Sequence, residues 1–537
     1  MVATVAARFP EPAPAPERHL SDESLTVTGD VSLSRSFTAA LEQCGLSVRF
    51  AEPIHSDTAA GPTIWLTIEM PTAAGGDHAL LCHVAVDDDG VCWCFADDRS
   101  QTPTTPALAA FRRAASLRTA TASSDCLGVE IPHETLMTIA ATQITRNIIR
   151  QSGILPPAGA VTFLDRRTLR TSTHNVTVHP YDMPADQRDP DEFRRDQREL
   201  KNGPSIGRQE LAERWQRLSD ERFGAFTDLD DTEFRQLPLK VVLARMSDPC
   251  SLLPAPPAVT GVGIDKESAW ERAVVRALAA YGSIVVDPRL LVDENGTYLG
   301  PREGDAARLL GSVRAGSVDA FVRTIDLTDG RERLVPAQRA FPVLRTHRPS
   351  PTPCGTSAAL NWRRALMDGL LQHCVRLAAS GLSSQARQPA ALVAEDFDQD
   401  PGVRFLTAMV KAASIDLTLH DITGPAGIPV VACTSTPGET VYGGGIHLVE
   451  AVREALTATL FHYQLQHDPV LKAAIPTMKS TIWTNSASMD SPNLDRLVHA
   501  ATSNGCTASV FALNHDQTVH EAFPYVLRVI LTEKYNH

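Results

Sequence analysis

Gly355-Thr356-Ser357 presents a serine hydroxyl, an atom that attacks carbonyls once a base removes its proton. No base is spaced to activate it, so Ser357 reads as the N-cap of the helix that follows. Gly443, Gly444 and Gly445 precede an amphipathic stretch, where backbone N–H groups could cradle phosphate oxygens. The Lys-Ser/Thr of nucleotide-binding loops is missing after them, and a tight turn is the expected role. Cys92 and Cys94 form a C-x-C pair with no second pair at zinc-ligand spacing. They read as reduced, buried thiols, like the rest of the 10 cysteines. His174, His179, His373, His420, His447, His462 and His467 never fall into H-x-x-x-H or H-E-x-x-H, the spacings that put two metal ligands on one helix face. His462 and Gln466 are one turn apart, with nothing beside them to support a metal. No catalytic triad is legible.

The elements that would position these groups come from periodicity. TIWLTIEM and HALLCHVAV read as strands. SLSRSFTAALEQCG and HETLMTIAATQITRNIIRQSG read as helices closed by glycine, and PALAAFRRAASLRTA as a further helix. AVTFLDRRTLRTSTHNVTVHP predicts two strands around an LDRRTL turn. Farther on, the strands LKVVLARM, GIPVVACT and PYVLRVILT alternate with helices at 269–281, 357–379 and 448–464. No repeat of solenoid type is visible. The class is α/β (mixed α+β) with layered packing.

With 537 residues the chain is long enough for roughly two to four domains. Residues 1–25 read as a disordered Ala/Pro tail, 26–184 as a small α/β unit, 185–210 as a charged linker with a solvated helical portion, and 211–537 as a larger, multi-layer α/β domain. Hydrophobic residues make up 43% of the chain, the ordinary share for a folded protein. A net charge of -13 argues against nucleic-acid or anionic-membrane binding, though it allows a local basic groove for an acidic peptide. MVATVAARFPEPAPAPERHL lacks the apolar core of a secretion signal. No run approaches the ~18 apolar residues of a membrane helix. A cytoplasmic location is expected.

The C-terminal half resembles the YcaO family over roughly 217–537. Three segments carry the likeness, in the family's order. TGVGIDKESAWERAVVRALAAYGS matches a G-x-G turn and an alanine-rich helix. PCGTSAALNWRRALMDGLLQHCVRLA matches a helix that bears glutamates in the family. DITGPAGIPVVACT with YGGGIHLVEAVREALTATLFHYQ matches a strand–turn–strand and a glycine turn into a helix, and PYVLRVIL is similar to the closing strand. The N-terminal unit more faintly resembles a ThiF-like domain, the precursor-peptide-binding partner of many such proteins, in CWCFADDR and TFLDRRTLRTSTHNVTVHPYDM. The cysteines that follow these strands in that domain are missing from HPYDMPAD, so the resemblance implies a trimmed domain without its zinc.

In the family, ATP phosphorylates a peptide amide oxygen that a neighbouring Cys, Ser or Thr has attacked, and loss of phosphate leaves an azoline ring. Such chemistry takes magnesium held by carboxylates from several elements, with donors for phosphate oxygens. Position by position, the resemblance puts the family's first serine at Arg272, its first glutamate at Arg276 and its Glu-Arg pair at Ala279 and Ala280. The second helix's Glu-Glu falls at Arg363 and Arg364, and its later glutamates at Gln372 and Val375, with Arg376 retained. The third helix's Arg, Glu and Gln fall at Glu454, Ala458 and Phe461. A one-residue slip would rotate an apolar face by about 100°, which the patterns forbid. Magnesium facing these arginines would be repelled. Either side chains have filled the pocket, the favoured expectation, or it holds an anion without metal.

The leading expectation is therefore a non-catalytic subunit, with no cofactor. It would bind the precursor peptide, or a catalytic YcaO or dehydrogenase partner, as a homo-dimer or hetero-complex in thiazole/oxazole peptide biosynthesis. The N-terminal unit would capture peptide, for example by strand addition. The alternatives are an active ATP- and magnesium-dependent cyclodehydratase, its ligands relocated to VAEDFDQD (393–400) or DLDD (228–231), and an anion-sensing regulatory binder.

Overall fold

The computed structural model describes residues 25–29, 31–43, 48–50, 63–71, 77–86, 89–97, 132–150, 160–182, 190–227, 229–255, 257–300, 306–345, 353–381, 389–435, 439–475, 482–484, 491–503 and 505–533. The expected N-terminal tail, apart from Leu25, the expected helix at 106–120 and Asp228 lie outside the described residues. The chain divides into two compact units, residues 1–111 with 124–176, and residues 112–123 with 177–537.

The first unit holds strands β1 (Leu25–Gly29), β2 (Val48–Phe50), β3 (Thr63–Pro71), β4 (Asp77–Val86), β5 (Gly90–Asp97), β6 (Ala160–Asp165) and β7 (Thr171–Asn175), with helices α1 (Val31–Gln43) and α2 (His133–Arg150). They form one sheet in the order β2-β1-β3-β4-β5-β6-β7. Only the β1–β2 pair is parallel; from β3 to β7 each strand runs antiparallel to the next. Period-two alternation sends Val84, Trp93 and Leu164 to one face, where they pack with Phe37 and Leu41 of α1 and Leu136, Met137 and Ile144 of α2. Cys92 and Cys94 are buried on the opposite pleat. Asp165 accepts from the N–H groups of Arg167 and Thr168, which closes the expected LDRRTL turn.

In the second unit, the charged stretch after the first unit carries α3 (Pro190–Asn202) and leads into α4 (Arg208–Leu218). A hairpin of β8 (Lys240–Arg245) and β9 (Ala258–Gly263) feeds α5 (Lys266–Ile284). Next come α6 (Ala306–Ala315), β10 (Phe321–Asp326), β11 (Glu332–Pro336), α7 (Ala337–Ala340), β12 (Thr356–Ala358) and α8 (Trp362–Gly381). β13 (Ala390–Leu392), α9 (Pro401–Ala412), β14 (Leu417–Asp421), β15 (Val430–Ser435) and β16 (Glu439–Gly444) lead to α10 (Leu448–His467) and α11 (Pro469–Ala474). The chain closes with β17 (Ile482–Thr484), α12 (Ser491–Thr502), β18 (Cys506–Ala512), α13 (Gln517–Ala522) and β19 (Val526–Glu533). Two five-stranded sheets result, β11-β10-β18-β19-β12 and β13-β14-β15-β16-β17. α8 packs against β12 and β19 of one sheet and β16 and β17 of the other.

A two-fold repeat lies beneath this architecture. Gly261-x-Gly263-Ile264 opens α5 as Gly443-x-Gly445-Ile446 opens α10, and Ala269 and Ala273 match Ala451 and Ala455 at the same spacing. A Cβ at Gly261 would strike the backbone of Ala269 and Ala273; one at Gly443 would strike Ala451 and Ala455. Small residues on both sides let each helix lie directly on its strand. The GGG run is thus not the expected tight turn: Gly443 and Gly444 are strand residues, Gly443 pressed by α10 and Gly444 by Val375 of α8.

Candidate functional site

α5 and α10 begin with N-caps at matching places, Asp265 and His447; the Asp265 carboxylate accepts from the Ser268 N–H. About two turns into each helix stand Arg272 and Glu454, equivalent positions of the two copies with opposite charge. Nη2 of Arg272 lies 2.7 Å from Oε1 of Glu454, and Nη1 3.3 Å from Oε2. Glu454 is 1% exposed and Arg272 22%, so this two-pronged bridge holds a carboxylate that water cannot reach. Beside it, Nη1 of Arg276 donates to the Thr260 carbonyl at 3.0 Å. Burial, helped by the positive charge of Arg272 and opposed by Glu454, pulls the Arg276 guanidinium down to about 10. Ala458 is fully buried, Phe461 is 1% exposed, and Ala279 and Ala280 lie in the core.

The positions on α8 have other partners. Gln372 accepts from the Gly355 N–H at 2.9 Å and donates to the Thr356 carbonyl at 3.0 Å, tying down the loop before β12. Val375 is fully buried and Arg376 is exposed. The Arg364 N–H donates to Asn361, whose side chain caps the first turn, while Nε of half-buried Arg363 is enclosed without a hydrogen-bond partner. Ser357 is not the N-cap expected from sequence. It sits in β12, paired with Leu527 of β19, and its hydroxyl donates to the Ala365 carbonyl at 2.6 Å.

These residues do not fit a magnesium-bound triphosphate. The only carboxylate at the eleven substituted positions is Glu454, already held by Arg272, and Ala458 and Phe461 bring no ligand atoms. Most described carboxylates of the acidic stretches have partners: Asp400 caps α9 and pairs with Arg453 at 2.8 Å, Glu395 pairs with Lys411 at 2.7 Å, Asp231 pairs with Lys266, and Asp230 accepts from Thr232, while Oδ1 of Asp398 is enclosed without a hydrogen-bond partner. His462 and Gln466 both meet Glu439 at 3.3 Å. Among the described residues no three His, Cys, Asp or Glu gather as metal ligands, and no helix is long and apolar enough to cross a membrane.

Sequence reasoning named Arg272 and Glu454 separately and missed their pairing. The signal was present: aligning the two glycine turns puts opposite charges at matching places. It also missed Cys354, whose Sγ lies 3.7 Å from Nδ1 of His373.

A family model described as YcaO cyclodehydratase, ATP- and Mg2+-binding, matches residues 259–529, just over half of the chain. No curated protein matches the sequence. Among solved structures, the chain is similar to a heterocyclase in complex with substrate and cofactor, at 14% identity over 94% of this chain and 79% of that one, with a TM-score of 0.52. It is also similar to the heterocyclase TruD, at 14% identity over 94% and 77%, with a TM-score of 0.48. YcaO from Methanopyrus kandleri bound with AMPPCP and Mg2+ is similar at 15% identity over 57% and 84%, with a TM-score of 0.39.

Proposed function

The chain belongs to the YcaO family, and we propose that it serves there as a non-catalytic subunit of a complex that installs azoline or azole rings on a ribosomally made precursor peptide. The observation that carries this reading is the Arg272–Glu454 bridge. It joins α5 to α10 where the resemblance places a serine and an arginine of the nucleotide site. With Ala458 and Phe461 buried at the neighbouring glutamate and glutamine positions, side chains occupy the space that the reaction would need for triphosphate and metal. The chain's task is then to hold the precursor peptide, or a catalytic partner with its carboxylates intact. The antiparallel sheet of the first unit supports peptide capture, because its edge strand β7 is mostly exposed at Thr171, Ser172, Thr173 and Asn175.

The test is phosphate release from ATP and magnesium by the purified chain with the precursor peptide encoded beside it. Release at the buffer rate, with faster ring formation when the chain is added to an intact YcaO partner, is the expected result. Peptide-dependent turnover by the chain alone would overturn the proposal.

A further inference from the structure

α9 is apolar on two opposite sides. Val403, Leu406 and Val410 face inward and share a core with Ala451, Val452 and Ala455 of α10. At 3.6 residues per turn, the row opposite them is Pro401, Phe405, Ala408 and Ala412, and all four are exposed. No charge interrupts that row along the helix. The exposed positions of α3 and α4 are instead filled with charge, Arg195, Arg198 and Glu199 on the first and Glu213 and Arg217 on the second. Alanine alone is ordinary on a helix surface, but Phe405 leaves 36% of an aromatic residue in water in the middle of the row. A helix that is apolar on both faces calls for cover on both. The nearest charges stand on one flank, where Arg404 and Lys411 are about two turns apart. Lys411 is held by Glu395 of the 3₁₀ turn Ala394–Phe397 at 2.7 Å, and Glu395 remains 46% exposed. Among the described residues no carboxylate pairs with Arg404.

We propose that this row is the contact between two copies of the chain, α9 against α9, antiparallel about a two-fold axis at Ala408. The pairing is self-complementary in volume and in charge, as a two-fold contact must be. It sets Phe405 of each copy into the gap between Ala408 and Ala412 of the other, where small side chains leave room for a ring. A parallel pairing would stack Phe405 on Phe405 and leave a gap between facing alanines. The antiparallel axis also brings the charged flanks to the same side. Arg404 of each copy then meets the Glu395–Lys411 pair of the other, and Glu395 gains a second cation. α9 has 12 residues and is about 18 Å long. One such helix pair buries less than the roughly 1,200 Å² of a permanent interface, so the dimer is reversible and forms at micromolar concentration. The contact is independent of the proposed non-catalytic role, since it uses none of the substituted nucleotide-site positions.

The experiment is sedimentation velocity of the full chain from about 1 to about 100 μM, with the variants F405D, R404E and E395R. All three change exposed side chains, so the fold is kept, and circular dichroism checks it. The parent is expected to pass from monomer to dimer, and each variant alone to weaken the dimer about tenfold or more. An equal mixture of R404E and E395R should recover the parent affinity, because each end of the mixed dimer regains one cation facing one carboxylate. A merely structural role of either residue would not produce that recovery. A408C, placed on the axis, should cross-link to its own copy under mild oxidation where the parent does not. A monomer at every concentration, a dimer indifferent to F405D, or a mixture no tighter than its components would each overturn the proposal. Cross-linking of A408C to an added intact YcaO protein instead of its own copy would assign the row to a catalytic partner and overturn the two-fold contact.

Discussion

Replacing Arg272 by alanine removes the partner of a carboxylate that is 1% exposed and engaged at 2.7 and 3.3 Å. Water cannot reach Glu454 to substitute for the guanidinium. The loss is expected at about 3–5 kcal/mol, the usual cost of stranding one member of a buried pair. E454A costs less, about 1–3 kcal/mol, because Arg272 is 22% exposed and partly rehydrates. R272M/E454M removes both charges and fills the volume, so it should return to within about 1 kcal/mol of the parent. The chain has two compact units, and global melting would mix their transitions. The assay is therefore amide exchange by mass spectrometry over α5 and α10, comparing the slowest amides in parent, single variants and R272A/E454A. A coupling of about 2 kcal/mol or more is expected. A coupling below about 0.5 kcal/mol, the level of an exposed surface pair, would refute the claim that this bridge is sealed and fastens the two helices.

Two further predictions follow from the same unit. G261A and G443A each drive a Cβ into the backbone of the helix above, so each should cost at least about 1–3 kcal/mol. G311A, in the exposed middle of α6 with open space around it, should instead gain about 0.5–1 kcal/mol; equal effects in urea unfolding would contradict the close-packing account. Asp248 and His373 give opposed pH dependences. Burial raises Asp248 from 3.8 to about 6, so its contribution is present at acid pH and is lost as pH rises through 6. Burial lowers His373 from 6.5 to about 4, so its contribution is present above pH 6.5 and is lost as pH falls through 4. The slopes nearly cancel in the parent. D248N should gain relative stability, and H373Q lose it, by about 3 kcal/mol each between pH 4 and 7. Urea midpoints that run parallel to the parent across that range would exclude both shifts.

Local signals carried much of the fold. Strand alternation in TIWLTIEM and HALLCHVAV and the LDRRTL turn depend on near neighbours, and they appear as β3, β4 and the β6–β7 connection. Ser357 shows where such signals stop. Gly-Thr-Ser ahead of a helix has the composition of a cap, but β12 exists because Ser357 pairs with Leu527 of β19, far along the chain. That register is invisible to a local reading, and the cap passes to Asn361. The repeat escaped for a related reason. Its two copies share little beyond the glycines, one valine, one isoleucine, one leucine, two alanines and a tyrosine, the positions where helix meets strand or core, while the outward positions differ. The Arg272–Glu454 pair is the most informative of those differences, and it can be read only when the copies are superposed.

That pairing decides what the space between α5 and α10 offers to a solute. With glycine and alanine at the strand contacts, each helix already lies flush on its own strand, and contact alone leaves sliding and rotation between the two copies loosely set. A fully apolar replacement would fill the volume without direction. A forked ion pair supplies direction, because both oxygens of Glu454 and both terminal nitrogens of Arg272 must align at once. Desolvation offsets most of the Coulomb energy, so its value lies in orientation more than in net stability. The single carboxylate is thereby spent, and Arg276 is turned toward a backbone carbonyl of its own hairpin. A divalent cation finds no free oxygen ligand at these substituted positions. One closed ion pair thus stands where the resemblance places a serine and an arginine of the family's nucleotide site.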